Sequence, residues 1–417
     1  MPNLFLSLKF IPAEQPEIAK RNVSRGTAAS YMHALQGEPR SPHAPTGSPL
    51  PVRHHRRVFP SVPAAANRGR SDCFSHYIRS KCVKRIESYK IRTLPDGSVP
   101  VFLLPLSLGV SSTALLHLLS TALTAQRRRV SRARYALKIV HVDETLLHAH
   151  APPPDLAAVR ERFPEAGEYS VVKLEDVYLF EVGGEEASAG DRAARLRRTL
   201  QSLPSPTSRE DLARALRTRL IRRLAARHRC AGIFWGSSTT ALASHILTSA
   251  ALGRGASLPL LTQDGAHEGT LNYHPLRDVF KKELVTFARD VLQPSLWGLC
   301  VAEEGRQKHT AANAISARNI TVGELLTQYF ETMEVQYPST VSNVVRMGDR
   351  LKTAGEERMC CKLCGLPVDG GGNGLTLGAQ DDGDESPREM CYGCLRSIHG
   401  ATAELNWPVV EDRITKS

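Results

Sequence analysis

Short apolar runs alternate with stretches of helical periodicity through the middle of the chain. Four runs of strand length are apolar or alternate between apolar and polar positions, at 100–106, 136–143, 168–174 and 230–236. Stretches with helical spacing lie between and after them, at 111–127, 208–229, 239–252 and 278–291. Strands separated by helices indicate crossover connections between parallel strands. The pattern therefore predicts an α/β fold built on a parallel sheet.

The two ends of the chain differ from its middle. Residues 1–70 are rich in Pro, Ala, Ser, Arg and His without sustained periodicity. We expect them to be disordered, because they bury too little apolar surface to offset the entropy of ordering. Residues 71–95 predict a basic helical segment. We expect an α/β domain over 96–345 and a cysteine-rich module with a tail over 346–417.

Composition and charge narrow the class of protein. The chain has 417 residues, 41% of them hydrophobic, and a formal net charge of +12. The longest apolar stretch, 99–110, is shorter than the about 18 residues that span a bilayer, so we expect no membrane-spanning segment. Nine cysteines, mostly near one end, favour a reducing compartment over a disulfide framework. We expect a cytoplasmic protein, and the basic residues of 1–70 leave a mitochondrial transit peptide as the alternative.

Two pairs of cysteines near the C-terminus carry the strongest local signal. Two residues separate Cys361 from Cys364, and two separate Cys391 from Cys394. Each such pair presents two sulfurs to one tetrahedral ion, and four thiolates leave no open position on it. The sequence therefore predicts a structural zinc site. Two alternatives stay open: Cys360 as ligand in place of Cys361, and a chance cluster of reduced cysteines.

A second candidate site lies between the first predicted strand and the helix after it. Ser107, Gly109, Ser111 and Ser112 place hydroxyls and backbone N–H groups at the start of that helix. A helix N-terminus binds anions such as phosphate. Serines at a helix start are also ordinary caps, so the spacing alone leaves both interpretations open.

Arginine is concentrated in two helical stretches. The later helix carries Arg214, Arg217 and Arg222 around an apolar stripe, and the earlier one ends near Arg127 and Arg128. The guanidinium fork matches phosphate oxygens in geometry. We expect these five arginines to bind the phosphate backbone of a nucleic acid, and a solvated charged face is the alternative.

Several segments together resemble one known family. The segment 107–112, Ser-Leu-Gly-Val-Ser-Ser, resembles a decayed form of the Ser-Gly-Gly-x-Asp-Ser loop of PP-loop ATPases. Over roughly residues 72–400 the chain resembles their partner subunit, the cytoplasmic tRNA 2-thiolation protein 2 family, in its fungal form. The other supporting segments are 72–74, 84–92, 140–144, 208–212, 234–243, 252–256, 272–278 and 282–284. The resemblance implies a Rossmann-like parallel sheet of the PP-loop type.

The resemblance also implies partners and an activity. It implies a heterodimer with a catalytic thiolase subunit, which together place sulfur on C2 of the wobble uridine in the tRNAs for Lys, Glu and Gln. In this family a ubiquitin-related modifier brings the sulfur as a thiocarboxylate, and the active subunit adenylates the uridine before sulfur displaces AMP. The implied partners are the thiolase subunit and tRNA, with the sulfur carrier indirectly and no membrane.

The chain departs from the pattern of the active enzymes in three ways. Leu108 stands where the second loop glycine is expected, and Ser111 replaces the aspartate that helps to hold Mg²⁺. No cysteine lies between Lys84 and Arg229, where the active subunit has its sulfur-relay pair. These departures put ATP binding in doubt and predict a subunit without catalytic residues.

Two other functions compete with this interpretation. An autonomous, divergent ATP-dependent adenylyl or sulfur transferase would use Ser107, Gly109 and Ser112 on phosphate. A zinc-ribbon scaffold would need only the four paired cysteines. A second metal site near the N-terminus is not expected, because Cys73 has no upstream cysteine to pair with.

Overall fold

A computed structural model of the chain shows an α/β fold around one mixed sheet. The structure describes residues 64–131, 133–147, 156–180, 188–267, 270–292, 294–300, 320–351, 360–366, 368 and 390–402. The predictions made for residues 1–63, and for the parts of the cysteine-rich module and tail at 369–389 and 403–417, lie outside them.

The sheet has six strands. In chain order they are β1 Val101–Pro105, β2 Ala136–Asp143, β3 Glu168–Lys173, β4 Gly232–Phe234, β5 Gly265–His267 and β6 Thr270–Tyr273. Their order across the sheet is β3-β2-β1-β4-β6-β5. All neighbours pair in parallel except β5 and β6, which are antiparallel at one edge. The strand order reverses direction beside β1, as in a doubly wound sheet, and confirms the predicted Rossmann-like α/β class.

Helices surround the sheet. In chain order they are α1 Ala64–Ser88, α2 Val110–Val130, α3 Ala157–Arg162, α4 Ala189–Ser202, α5 Pro206–Arg227, α6 Thr239–Ala251, α7 Leu258–Thr262, α8 Lys281–Thr286, α9 Val322–Gln336, α10 Pro338–Arg350 and α11 Tyr392–Ile398. A π-helical turn, Phe287–Val291, follows α8. Among the described residues, no helix combines the length and the apolar character needed to cross a bilayer.

The two faces of the sheet are buried in two separate cores. Phe102 and Leu104 of β1 belong to a first core with residues of α1, α2 and α8. Leu103 belongs to a second core with α4, α5 and the cysteine segments. Successive side chains of a strand point to opposite faces, so a strand that is apolar at every position is covered on both sides. This is why β1 is a continuous apolar run in the sequence and β2 a mostly apolar one.

The predicted domain boundaries cross these cores. Ile78 and Cys82 of α1 are fully buried in the first core. Cys361 and Cys394 are buried in the second core with the sheet residue Leu103. The division of the chain at 95 and 345 stays a prediction, and the segments on both sides of each boundary share a core.

Some helix boundaries differ from those predicted. Helix α1 begins at Ala64, within the segment 1–70 that was expected to be disordered. Helix α5 begins at Pro206, before the predicted start at 208, because Ser205 is its N-cap and accepts a hydrogen bond from the Ser208 amide at 3.1 Å. Proline suits the first helical position, since its missing N–H would have no intrahelical partner there.

Helices α9 and α10 are among those that the sequence pattern did not predict. They pack on α6 through a third core that includes Leu242, Phe330 and Val341. Leu325 and Tyr329 on α9 are exposed instead. Apolar residues therefore lie on both sides of α9, which blurs the helical pattern in the sequence.

Candidate functional site

Four cysteine sulfurs meet at one point of the second core. The Sγ atoms of Cys361, Cys364, Cys391 and Cys394 all lie within 4.8 Å of one another, and all four residues are buried. The Sγ atoms of Cys364 and Cys391 are 3.6 Å apart. A tetrahedral zinc with Zn–S bonds of about 2.3 Å places its sulfurs about 3.8 Å apart. The residues predicted from spacing are brought together, and the cluster contains Cys361 rather than Cys360.

The first cysteine pair lies in a tight turn. The amide of Gly365 donates to the Cys361 carbonyl at 2.8 Å, and the Cys361 amide donates to the Leu366 carbonyl at 2.7 Å. Gly365 has a φ of 72°, a left-handed conformation that glycine adopts without steric cost. The turn therefore holds both sulfurs of this pair on one side.

The second cysteine pair is placed by α11. Cys391 is the N-cap residue of α11 and Cys394 lies in its first turn. Hydrogen bonds from the thiols of Cys364, Cys391 and Cys394 lower the pKa of Cys361. Contacts with the neighbouring thiols raise the pKa of Cys364 and Cys394 well above its usual value. Metal binding requires the thiolate form, so an ion bound here would displace protons from the cluster.

Two buried arginines contact the cysteine pairs. Arg254 donates to Asp211 at 2.7 Å, and its Nη2 lies 3.5 Å from the Cys394 Sγ. Arg219 of α5 donates to the backbone carbonyls of Lys362 and Leu363, the latter at 2.7 Å. Both arginines are more than nine-tenths buried. Sequence reasoning did not assign either of them to a site, although 252–256 was one of the segments that carried the family resemblance.

The serine-rich loop between β1 and α2 is hydrogen bonded within itself. The hydroxyls of Ser107 and Ser112 lie 3.1 Å apart, and Ser112 donates to the Gly109 carbonyl at 3.1 Å. Ser107 is exposed, Ser111 is half-buried and Ser112 is buried. Gly109 is the N-cap residue of α2 and has no capping side chain. The structure thus places the predicted loop at the carboxyl end of β1, where α/β folds bind ligands.

Leu108 has a backbone conformation typical of glycine. Its φ is 56°, which costs a non-glycine residue about 1 kcal/mol. Its side chain is 2% exposed and packs in the first core. The loop therefore has a left-handed backbone at the position where the family resemblance places a glycine.

The carboxylates next to this loop have partners within the protein. Asp143 at the end of β2 accepts a hydrogen bond from the Thr145 amide at 2.9 Å. Glu144 accepts one from Arg217 at 3.2 Å. On the other side of the loop, a Cβ at Gly236 would lie 2.8 Å from the Cα of Ser112, so only glycine fits there. The acidic and small residues around the loop are engaged in packing and capping.

Three of the five remaining thiols, those of Cys82, Cys230 and Cys300, are poorly suited to attack. Burial raises the pKa of Cys82 to about 12, and burial also raises the pKa of Cys230. Cys300 is buried and donates to the Leu296 carbonyl at 3.4 Å. A raised pKa disfavours the nucleophilic thiolate. Among the described residues, a sulfur-relay pair is absent from the region of the loop, in agreement with the gap in cysteines from Lys84 to Arg229.

The five predicted phosphate-binding arginines do not form one surface. Arg217 contacts Glu144, next to the end of β2, and thus lies at the edge of the sheet where strands end. Helix α2 runs back from the end of β1, so Arg127 and Arg128 lie at the opposite edge. Arg222 is buried, with 6% of its surface exposed, and lies beside α6 and the cysteine segments, so its contact with phosphate stays a prediction.

The other members of the arginine set have local contacts. Arg214 forms an ion pair with Glu210, one turn away on α5. Arg127 donates to the Glu165 carbonyl at 2.9 Å from an exposed position. An ion pair between neighbours on one helix is weak, so neither contact prevents these guanidinium groups from binding phosphate.

One solved structure to which the chain is similar is that of the U34-tRNA thiolase NcsA from Methanococcus maripaludis with its [4Fe-4S] cluster. It is 16% identical to this chain, with a TM-score of 0.45. The match covers 71% of this chain and 84% of the thiolase.

Comparison with known sequences identifies the family. A family model described as cytoplasmic tRNA 2-thiolation protein 2 matches residues 321–376. The protein of that name from Phaeosphaeria nodorum is 38% identical, over 78% of this chain and 89% of its own length. Those from Pyrenophora tritici-repentis and Coccidioides immitis are 36% and 31% identical, and each is covered over 91% of its length. The chain therefore belongs to the cytoplasmic tRNA 2-thiolation protein 2 family.

Proposed function

We propose that this chain is the non-catalytic subunit of a cytoplasmic complex that 2-thiolates the wobble uridine of the tRNAs for Lys, Glu and Gln. Its partner is the PP-loop thiolase, which adenylates the uridine and receives sulfur from a thiocarboxylated ubiquitin-related modifier. Membership of the tRNA 2-thiolation family supports the role in thiolation. The division of labour between the subunits rests on the loop between β1 and α2.

The state of that loop is the observation that carries the proposal. The hydroxyls of Ser107 and Ser112 are hydrogen bonded to each other, and the side chain of Leu108 is buried in the first core. Ser111 occupies the position of the aspartate that active enzymes use to help hold Mg²⁺, so the negative charge that the metal needs is missing. Without that charge, Mg²⁺-ATP binds weakly at best, and no group at the loop can supply a sulfur nucleophile.

We further propose that the four-cysteine cluster holds one structural zinc. The sulfur spacing within 4.8 Å suits a single tetrahedral ion. A four-iron cluster would need room for four irons and four sulfides between the thiolates, which would then lie further apart. Burial of all four cysteines and the absence of an open position favour a structural role. Bound zinc would hold the two cysteine pairs together against the second core.

Half-buried Arg214 and Arg217, with exposed Arg127 and Arg128, supply the proposed contact with tRNA. Arg214 and Arg217 lie near the carboxyl edge of the sheet, and Arg127 and Arg128 lie at the other edge. Contacts of arginine with phosphate release counterions and make binding depend on salt. We expect the variant Arg214→Ala/Arg217→Ala to weaken tRNA binding and to reduce its salt dependence. Arg289→Ala, at an exposed site on the π-helical turn, is the matched control.

ATP–pyrophosphate exchange by the isolated chain tests the proposal. We expect no exchange above background from the wild type or from Ser107→Ala/Ser112→Ala. Exchange by the wild type that disappears in this variant would establish an autonomous adenylyl transferase instead. Unaltered tRNA binding in Arg214→Ala/Arg217→Ala would favour a scaffold without contact with RNA.

A further inference from the structure

Each cysteine pair of the cluster is held by one buried arginine. The guanidinium of Arg219 donates to carbonyls within the first pair's turn, at Lys362 and Leu363. The guanidinium of Arg254 lies against the second pair, with its Nη2 3.5 Å from the Cys394 Sγ. The two arginines come from different elements, α5 and the turn after α6. Hydrogen bonds from two separate elements of the α/β domain therefore hold the cluster in place.

Arg254 is also tied to the helices on either side of it. Its Nη1 donates to Asp211 Oδ1 at 2.7 Å, and the other oxygen of Asp211 accepts from the Ser397 hydroxyl at 2.5 Å. Asp211 belongs to α5 and Ser397 belongs to α11. One carboxylate therefore joins the arginine, α5 and the helix that carries Cys394. All three side chains are buried.

The backbone around Arg254 is shaped for this contact. A Cβ at Gly393 would lie 2.6 Å from the Arg254 Cγ, so only glycine lets the arginine approach the second pair. Gly253 has a φ of 80°, and a Cβ there would lie 2.5 Å from the Tyr392 ring. Both glycines sit where α11 meets the turn after α6. Their positions show that this close approach is built into the fold.

Charge explains why arginines stand here. One divalent ion with four thiolates carries two negative charges in excess, and burying them is costly unless cations lie nearby. Arginine stays protonated at any physiological pH, and Arg254 also donates to the buried carboxylate of Asp211. Arg254 therefore stays charged beside the sulfurs. Groups that hydrogen bond to metal ligands typically account for about 10–100-fold in metal affinity.

We propose that Arg219 and Arg254 support the metal centre by hydrogen bonding to the cysteine pairs that hold the metal. Metal binding and docking of α11 on the α/β domain are then one coupled event. This inference rests on the proposed metal site. It gives one buried arginine of helix α5, Arg219, a role in supporting the metal centre. Arg254 acts as a positioning residue through Asp211 and Cys394.

Zinc affinity of the full chain tests the inference, measured by competition with a chromophoric chelator. We expect Arg254→Met to lower zinc affinity about 10–100-fold. Arg254→Lys keeps the charge but loses the guanidinium fork that reaches both Asp211 and Cys394. Its zinc affinity should therefore lie between those of the wild type and of Arg254→Met. Arg209→Met, at an exposed position of helix α5, is the control and should bind zinc as the wild type does.

Two further variants guard against simple misfolding. Arg254→Met alone leaves Asp211 buried without its cation, which destabilises the fold. The double variant Arg254→Met/Asp211→Asn removes both charges and should still lose zinc affinity. Arg219→Met should weaken zinc binding through the first cysteine pair. Amide hydrogen exchange of residues 392–398 supplies the second readout, and we expect it to quicken in each of these variants and in Cys361→Ser/Cys391→Ser.

The outcomes separate the two proposals. A wild-type chain that binds no zinc would overturn the metal site and this inference together. A wild type that binds zinc, with unchanged affinity and exchange in Arg219→Met and in the double variant, would overturn the inference alone. Loss of zinc affinity with faster exchange in both would support it.

Discussion

Arg85 on α1 donates a hydrogen bond through its Nε to Asp264, 179 residues further along the chain, at 3.1 Å. Asp264 also accepts from the His274 amide at 2.7 Å, and the guanidinium of Arg277 lies 3.6 Å from it. This carboxylate therefore ties the N-terminal helix to the β5–β6 edge of the sheet. The segment predicted as a separate basic helix is held in place by its charges as well as by its apolar face.

Removal of this ion pair should loosen the N-terminal helix. We expect Arg85→Met to lower the free energy of unfolding by about 2 kcal/mol, because Asp264 loses a charged hydrogen-bond donor in a partly buried site. Urea unfolding measures this loss. Arg79→Met, at an exposed position of the same helix, is the control and should change stability by less than about 0.5 kcal/mol. Equal effects of the two variants would contradict the role given to Asp264.

His117 should make stability depend on pH. Its ring lies between Phe163 and Phe287, each 5.9 Å away, and burial lowers its pKa to about 4. Between pH 6.5 and 4, His117 is protonated in the unfolded chain but stays neutral in the folded chain. Stability should therefore fall as pH drops through this range, by about 1.4 kcal/mol per pH unit for this group.

The variant His117→Leu isolates that contribution. Urea unfolding at pH 7.5 and at pH 5 should show a smaller fall in stability in the variant than in the wild type. Leucine suits the apolar site and takes up no proton, so the gain should be largest at pH 5. The same fall in both proteins would contradict this assignment.

Glu334 of α9 acts as a cap for another helix. Its carboxylate accepts from the Lys282 amide at 3.0 Å, in the first turn of α8, and also from the Thr240 hydroxyl. We expect Glu334→Ala to lower the free energy of unfolding by about 2 kcal/mol, because buried donors lose their acceptor. Glu334→Gln, which keeps one acceptor oxygen, should lose less. Thr332→Ala, at an exposed site of α9, is the control, and an equal loss there would refute the capping role.

Leu108 offers a test of backbone strain in the loop. Leu108→Ala should lower the free energy of unfolding by about 3 kcal/mol, because it empties a buried site. Leu108→Gly loses the same side chain but relieves the left-handed backbone, so it should be more stable than the alanine variant by about 1 kcal/mol. A glycine variant less stable than the alanine variant would show that the backbone at this position is not strained.

Local patterns predicted much of the sheet. The prediction of β2 matches the observed strand Ala136–Asp143 residue for residue, because a mostly apolar, β-branched run, interrupted only by Lys138 and His141, ends there in Asp143. The cysteine cluster was predicted equally well, since each pair needs only two residues between its ligands. Both features depend on neighbours in sequence, which the sequence shows directly.

Tertiary contacts decided the features that were missed. The burial of Arg222 depends on the cysteine segments that cover α5, and an arginine count on one helix does not reveal that cover. Arg254 meets Asp211 and Cys394 across 43 and 140 residues of chain. The sequence marked 252–256 as a distinctive segment, but the reason for it appears only when α11 is docked.

Nucleoside mass spectrometry of bulk tRNA tests the central claim most directly. Cells that lack this gene are compared with cells that carry either the wild-type gene or Ser107→Ala/Ser112→Ala, with protein levels checked in each. We predict that wobble 2-thiouridine disappears without the gene and returns with both copies, because the loop hydroxyls take no part in chemistry. Thiolation that persists without the gene, or that the loop variant fails to restore at a normal protein level, would contradict the account.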